Sequence, residues 1–270
     1  LLSDIKLFSP EIILILGAIF ILLYGIFFKK DKNSNKKILY ISLISLIASL
    51  YCSIYVVDIG TNSFNNLLNN NLYTLFFKIL VFTGTIVIIY ISYEYLKDLS
   101  LITPEFFFLI LLSLVGILVL ISSRNIISMY LGLELQSICL YILASYRKYD
   151  IKSSEAGVKY FITGALSSGV LLYGLSIIYA FTNSTDFYEI SKSINLSLQN
   201  NENFLIINIG FVLILCGLFF KIAVVPFHMW APDVYEGSPT SITAFFTTIP
   251  KIGVIAFLIK FLNKTFESYS

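Results

Sequence analysis

Three ionisable residues stand inside otherwise apolar stretches of this 270-residue chain: Glu134 in NIISMYLGLELQSICLYIL, Lys221 in LFFKIAVVPF and Lys251 in TTIPKIGVIAF. A charge at the centre of a bilayer costs at least about 2.5–3.5 kcal/mol, so each such residue needs a partner or a task. Glu134 lies ten residues past Arg124, roughly 15 Å along a helix at 1.5 Å per residue, and so near mid-membrane. Lys251, eleven residues past Thr240, falls at roughly 16 Å by the same count. Lys221 would sit roughly 26 Å along a straight helix begun at Phe204, which leaves snorkelling to the far interface open. The apolar continuation Ile222–Val225 and Phe227 keeps the chain in the membrane past Lys221. Desolvation and a nearby carboxylate act in opposite senses on a lysine's charge, so either can switch it. Bridged by water, Glu134, Lys221 and Lys251 could pass a proton sideways through the membrane with neither nucleophile nor cofactor.

Around this trio stand residues with two readings each. Pro226 interrupts the apolar run that carries Lys221 and is followed by the polar passage His228, Trp230, Pro232, Asp233, Glu236, Gly237 and Pro239. Irregular backbone at membrane depth is tolerated only where protein or a water-filled cavity surrounds it, so the break points to an ion pathway. His228, the only histidine, reads as a proton relay or as a hydrogen-bonded core residue. Glu155 and Lys159 are four apart and pair on one helix face, at a pathway entrance or as helix-end support. Pro250, just before Lys251, is expected as a second helix break, weakening the backbone ladder and freeing a carbonyl. Lys78, early in its apolar run, reads as snorkelling, and Lys260 as an interfacial anchor.

The elements that must hold these residues are membrane helices. Hydrophobic residues make up 57% of the chain and charged residues 13%, about half the charge of a soluble domain. Mean hydropathy is +0.87. Eight runs approach or exceed the roughly 20 apolar residues that cross a bilayer: 11–28, 38–57, 72–95, 104–122, 125–146, 155–181, 204–235 and 239–262. The seventh is too long for one straight span and breaks near Pro226. The expected fold is therefore all-α and membrane-embedded, with an N-terminal three-helix unit over 1–103, a five-helix unit over 104–262 and a tail over 263–270. Loop charge sets the orientation: Lys29, Lys30, Lys32, Lys36, Lys37, Lys97, Arg147, Lys148 and Lys152 lie on one side, and Lys6, Arg124, Lys192 and Lys264 on the other. That is nine against four, which places both termini on the outer face. Loops 61–71 and 182–203 read as solvated connectors.

Several functions are disfavoured. Basic residues form no nucleic-acid patch. Cys52, Cys139 and Cys216 are isolated in apolar runs and read as core or lipid-facing thiols. With no C-x-x-C and one histidine, metal or Fe–S ligation is not expected. Gly-rich phosphate loops, Ser/His/Asp sets and carboxylate pairs are missing too. The first apolar run has no signal-peptide form, and the chain starts with Leu1.

The words GLELQSICLYIL, EAGVKYFITGALSSGVLLYG and FFKIAVVPFHMWAPDVYEGSPT, followed by PKIG, resemble the antiporter-like family of membrane-arm subunits. The likeness is to subunit 2 of mitochondrial NADH:ubiquinone oxidoreductase (complex I), or bacterial subunit N, and covers about 104–262. It implies that Lys221 is the lysine beside the seventh-helix break, Glu134 the glutamate that tunes it, Lys251 the central lysine and Lys159 one near the input path. It implies proton translocation driven by quinone reduction elsewhere in the complex, with FMN, Fe–S clusters and ubiquinone held by other subunits and no cofactor in this chain. The partners implied are other membrane-arm subunits and lipid, with no nucleic acid. Residue usage typical of an AT-rich gene suits a mitochondrial inner-membrane protein whose termini face the intermembrane space. The family fold has two inverted repeats and this chain holds the first, which leaves open a fragment or a split gene whose second chain supplies the rest. Two rival readings are a subunit of a multi-subunit cation/proton antiporter or membrane-bound hydrogenase, and a degenerate structural scaffold.

Overall fold

The computed structural model describes residues 2–28, 34–59, 62–64, 67–99, 101–199 and 204–266. The short α1 (Leu2–Leu7) leads into α2 (Ser9–Phe27) and α3 (Ser34–Ile59). A hairpin of β1 (Asn62–Ser63) and β2 (Leu68–Asn69) then precedes α4 (Leu72–Asp98). Next come α5 (Pro104–Ser122), α6 (Ile126–Ala144), α7 (Ile151–Thr182), α8 (Phe187–Gln199), α9 (Phe204–Ile222), α10 (Ala231–Gly237) and α11 (Thr240–Phe266). Among the described residues eight helices are long and apolar enough to cross a membrane: α2 to α7, α9 and α11. Loop residues Lys29, Lys30 and Lys32, and residues 267–270 of the tail, lie outside the described residues.

Side chains fix several helix ends. The Asn71 side chain accepts from Thr74 N while Asn71 N donates to Thr74 Oγ1, a reciprocal capping box that starts α4. Asn125 Oδ1 accepts from Ile127 N to open α6, and Asp150 Oδ1 from Lys152 N to open α7. Pro104 sits in the first turn of α5, where a missing N–H does no harm. Asn183, left-handed at φ 50°, closes α7 and donates to Tyr179 O.

The bundle is built around α5. Phe106, Phe107, Ile110, Leu114, Ile117, Leu118 and Ile121 on that helix are each no more than 1% exposed. They pack among α2, α6 and α11, while α7 and α9 pair alongside. Apolar side chains such as Leu16, Ile26, Ile91 and Leu166 are exposed on the outside of the bundle, as lipid-facing residues are.

Four expectations are corrected here. Lys78 does not snorkel: it is 3% exposed and its Nζ donates to Glu11 Oε1 at 2.9 Å and to Asn70 Oδ1 at 3.1 Å. It belongs to a buried ion pair that joins α4 to the start of α2. Lys260 is buried as well, donating to Ser123 O at 2.7 Å and Ile121 O at 3.2 Å, where it meets carbonyls left free at the end of α5. The first outward connector is not simply solvated, since Asn70 is 4% exposed and accepts from Ser122 Oγ. In the second, α8 buries Phe187, Ile190 and Ile194, one helical stripe, and packs on Phe257 and Phe261 of α11.

Candidate functional site

The seventh span breaks close to the expected place by a different device. Helix α9 ends at Ile222, four residues before Pro226. Ala223 adopts the left-handed conformation at φ 62°. Its N–H donates to Phe220 O and that of Val224 to Phe219 O, the bond pattern of a Schellman cap. Pro226, which lacks an N–H, follows in the non-helical passage that separates α9 from α10. Trp230 Nε1 donates to Phe220 O at 3.1 Å, tying the non-helical passage back onto the helix end. An alanine is strained where glycine is usual. Ala223→Gly should therefore raise stability by up to about 1 kcal/mol, read as a higher thermal midpoint of the solubilised protein; an unchanged or lower midpoint would show that the cap is not strained.

Lys221, the penultimate residue of α9, is held by three hydroxyls. Its Nζ donates to Ser137 Oγ at 2.8 Å, Tyr141 OH at 3.2 Å and Ser168 Oγ at 3.2 Å. An ammonium has three donors, so the set is complete. Ser137 and Tyr141 come from α6 and Ser168 from α7. Glu134 precedes Ser137 by three residues and Tyr141 by seven, so all three lie on one face of α6. Glu134 interacts electrostatically with Lys221. Their charged atoms form no contact within the 4.0 Å of an ion pair among the described residues. Neutral hydroxyls thus solvate the ammonium while the carboxylate acts on it from a distance.

Lys251 lies elsewhere. Helix α11 runs unbroken through Pro250, so the expected second break does not occur. The ring takes out one backbone donor and leaves the helix continuous. Lys251 Nζ stands 5.6 Å from the ring centroid of Tyr235, on α10. Lys159 pairs with Glu155 at 2.7 Å, as its spacing predicts, and with Asp233 of α10 at 2.7 Å. Beside it Lys152 pairs with Glu236 at 2.9 Å. These exposed pairs dock α10 on the first turns of α7. His228 is exposed in the non-helical passage and does not join the hydroxyls around Lys221. The structure sets Lys221 among hydroxyls two of which share the Glu134 face of α6, and leaves Lys159, His228 and Lys251 outside that hydroxyl set.

Sequence reasoning missed Ser137, Tyr141 and Ser168. The first two carried a signal, being polar residues at helical spacing from Glu134 within an apolar run. Ser168 carried none, since only the packing of α7 on α9 brings it there. Among the described residues no group of three His, Cys, Asp or Glu side chains could hold a metal ion.

Residues 123–269 match the family described as NADH:quinone oxidoreductase/Mrp antiporter, TM. Along 97% of its length the chain is 41% identical to NADH-quinone oxidoreductase subunit N of Pelagibacter ubique, and along 96% it is 40% identical to that of Bartonella bacilliformis. It spans about half of these relatives, 54% and 52%. Respiratory complex I from Thermus thermophilus contains a chain that matches 93% of this one at 27% identity and a TM-score of 0.74, with 52% of that chain covered. The Mrp complex from a Dietzia species matches in fold, at a TM-score of 0.75 and 15% identity, over 98% of this chain and 49% of that one. This chain is a multi-pass membrane protein that belongs to the NADH:quinone oxidoreductase/Mrp antiporter transmembrane family.

Proposed function

We propose that the chain is the first antiporter-like half of a proton-translocating membrane-arm subunit in a complex I-type NADH:quinone oxidoreductase. The observation that carries this reading is Lys221, placed at the end of a broken membrane helix and held by hydroxyls from two neighbouring helices. Each of those hydroxyls can donate or accept, so the ammonium proton has a neighbour ready to take it. Glu134 supplies the charge that biases Lys221, and Lys251 is the next station along α11. The chain divides functionally into an N-terminal three-helix unit over 1–103 and the pumping repeat over 104–262. Its own residues hold no redox group, and NADH oxidation and quinone reduction belong to other subunits. Partners are further membrane-arm subunits and a second polypeptide or segment that completes the other repeat. The setting is the mitochondrial inner membrane, with the start of α2 and the end of α11 toward the intermembrane space.

A native gel of gently solubilised membranes, stained for NADH dehydrogenase activity, tests this reading once peptides of the active band are mapped by mass spectrometry. The chain should appear in that band together with peptides resembling the other half of subunit N. Absence from every NADH-oxidising band would refute the assignment.

A further inference from the structure

Between the two lysines runs an unbroken line of aromatic rings. Lys221 Nζ lies 5.7 Å from the ring centroid of Tyr141 as well as bonding its hydroxyl. The Tyr141 ring meets that of Tyr160 edge-on at 4.8 Å, and Tyr160 stacks on Trp230 at 4.5 Å with the planes only 10° apart. Trp230 meets Tyr235 at 5.8 Å, and Tyr235 faces Lys251. Tyr141, Tyr160 and the Trp230–Tyr235 pair come from α6, α7 and the start of α10, so the short helix is wedged between the lysines.

Along this line buried polar atoms go unpaired. Among the described residues, Tyr235 OH, Ser238 Oγ and Ser241 Oγ have no hydrogen-bond partner, nor has Gln136 Oε1, next to Ser137. Three of the four fall within the seven residues 235–241, which span the end of α10 and the start of α11. An unpaired buried polar group keeps its full desolvation penalty, and such groups are what buried water bonds. Elsewhere, Glu11 Oε2 beside Lys78 and Asn69 Oδ1 are likewise unpaired among the described residues, but neither lies next to the Lys221 or Lys251 contacts.

We propose that Tyr235 is the proton relay between the Lys221 cluster and Lys251, its phenol working with water. This rests on the proton-pathway reading above. In each transfer the Lys221 ammonium gives a proton to a bridging water, that water passes one of its protons to the phenol oxygen, and the phenol's own O–H proton leaves through a second water to the neutral Lys251 amine. One N–H bond breaks at Lys221 and one forms at Lys251, every O–H bond broken in between is replaced, and one positive charge moves from Lys221 to Lys251. The π face of the ring, 5.6 Å from Lys251 Nζ, then favours the ammonium so formed. Trp230 packs against the ring and fixes its place.

The test uses the whole complex reconstituted in lipid vesicles, with NADH-driven acidification followed by a pH-sensitive dye. Tyr235→Phe keeps the ring and its packing and removes only the hydroxyl. It should slow proton transfer about a hundredfold, the lower end of what a positioned acid–base group contributes, and alter the pH profile of pumping. Normal pumping and an unchanged pH profile in Tyr235→Phe, whether or not Tyr235→Leu is impaired, would overturn the relay and leave the ring a packing role. Lys221→Met and Lys251→Met run alongside. If both pump normally, the pathway reading has failed; if both are impaired while Tyr235→Phe is not, only the relay has.

Discussion

Replacing Lys78 with methionine should cost about 3–5 kcal/mol of stability, because it strands the Glu11 carboxylate where neither water nor another cation reaches it. The pair is 3% and 2% exposed at the side chains and its N–O distance is 2.9 Å. Removing one partner of such a pair leaves an uncompensated buried charge, worth a shift of about 10²–10⁴ in the folding equilibrium. The double variant Glu11→Leu/Lys78→Met should recover most of the loss, since apolar replacement of both ions is often neutral. Denaturant or thermal unfolding of the solubilised protein reads both effects. A loss below about 1 kcal/mol for Lys78→Met, the size of an exposed pair, would contradict the burial of this pair.

Adding one methyl group at Gly116 should be nearly as disruptive. A Cβ there would lie 2.6 Å from Gln136 N and 2.7 Å from Gly132 O, both backbone atoms of α6. Gly132 meets α5 reciprocally, its Cβ falling 2.8 Å from Gly116 O. No side chain can swing aside, so the two helices must separate. Overpacking of this kind costs about 1–3 kcal/mol, occasionally more. The segment displaced is the one that carries Glu134 and Ser137, so Gly116→Ala should also weaken proton transfer at Lys221. Gly169→Ala is the control: nothing lies within 4 Å of its Cβ, and alanine there should add about 0.5–1 kcal/mol through helix propensity. Equal midpoints for the two variants would show that α5 and α6 are not in backbone contact.

Much of this architecture was legible because hydropathy dictates it. Eight spans and a break beside Lys221 follow from run length and Pro226. What sequence cannot show is which distant residue meets a charge. Lys78 looks like an interfacial anchor until the fold brings Glu11, 67 positions away, to its ammonium. Lys260 misleads in the same way, since its partners are backbone carbonyls 137 and 139 positions away. The break lies close to the expected place, but its device was hidden because the left-handed residue is Ala223, without the glycine that usually marks such a cap. Helix α8 was overlooked although Phe187, Ile190 and Ile194 mark one face; its polar flanks hid a short stripe. For the site, Glu134 and Lys221 were readable as charges in apolar runs, while the hydroxyls that hold Lys221 were diluted among many serines and tyrosines.

The measurement that bears most directly on the account is NADH-driven proton pumping by vesicles that contain the assembled complex with Lys221→Met in this chain. Methionine keeps the apolar stem and removes the three N–H donors to Ser137, Tyr141 and Ser168. The account predicts an assembled complex whose pumping falls about a hundredfold or more. Pumping at the unmodified rate, with the variant chain confirmed in the complex, would contradict a proton pathway through Lys221.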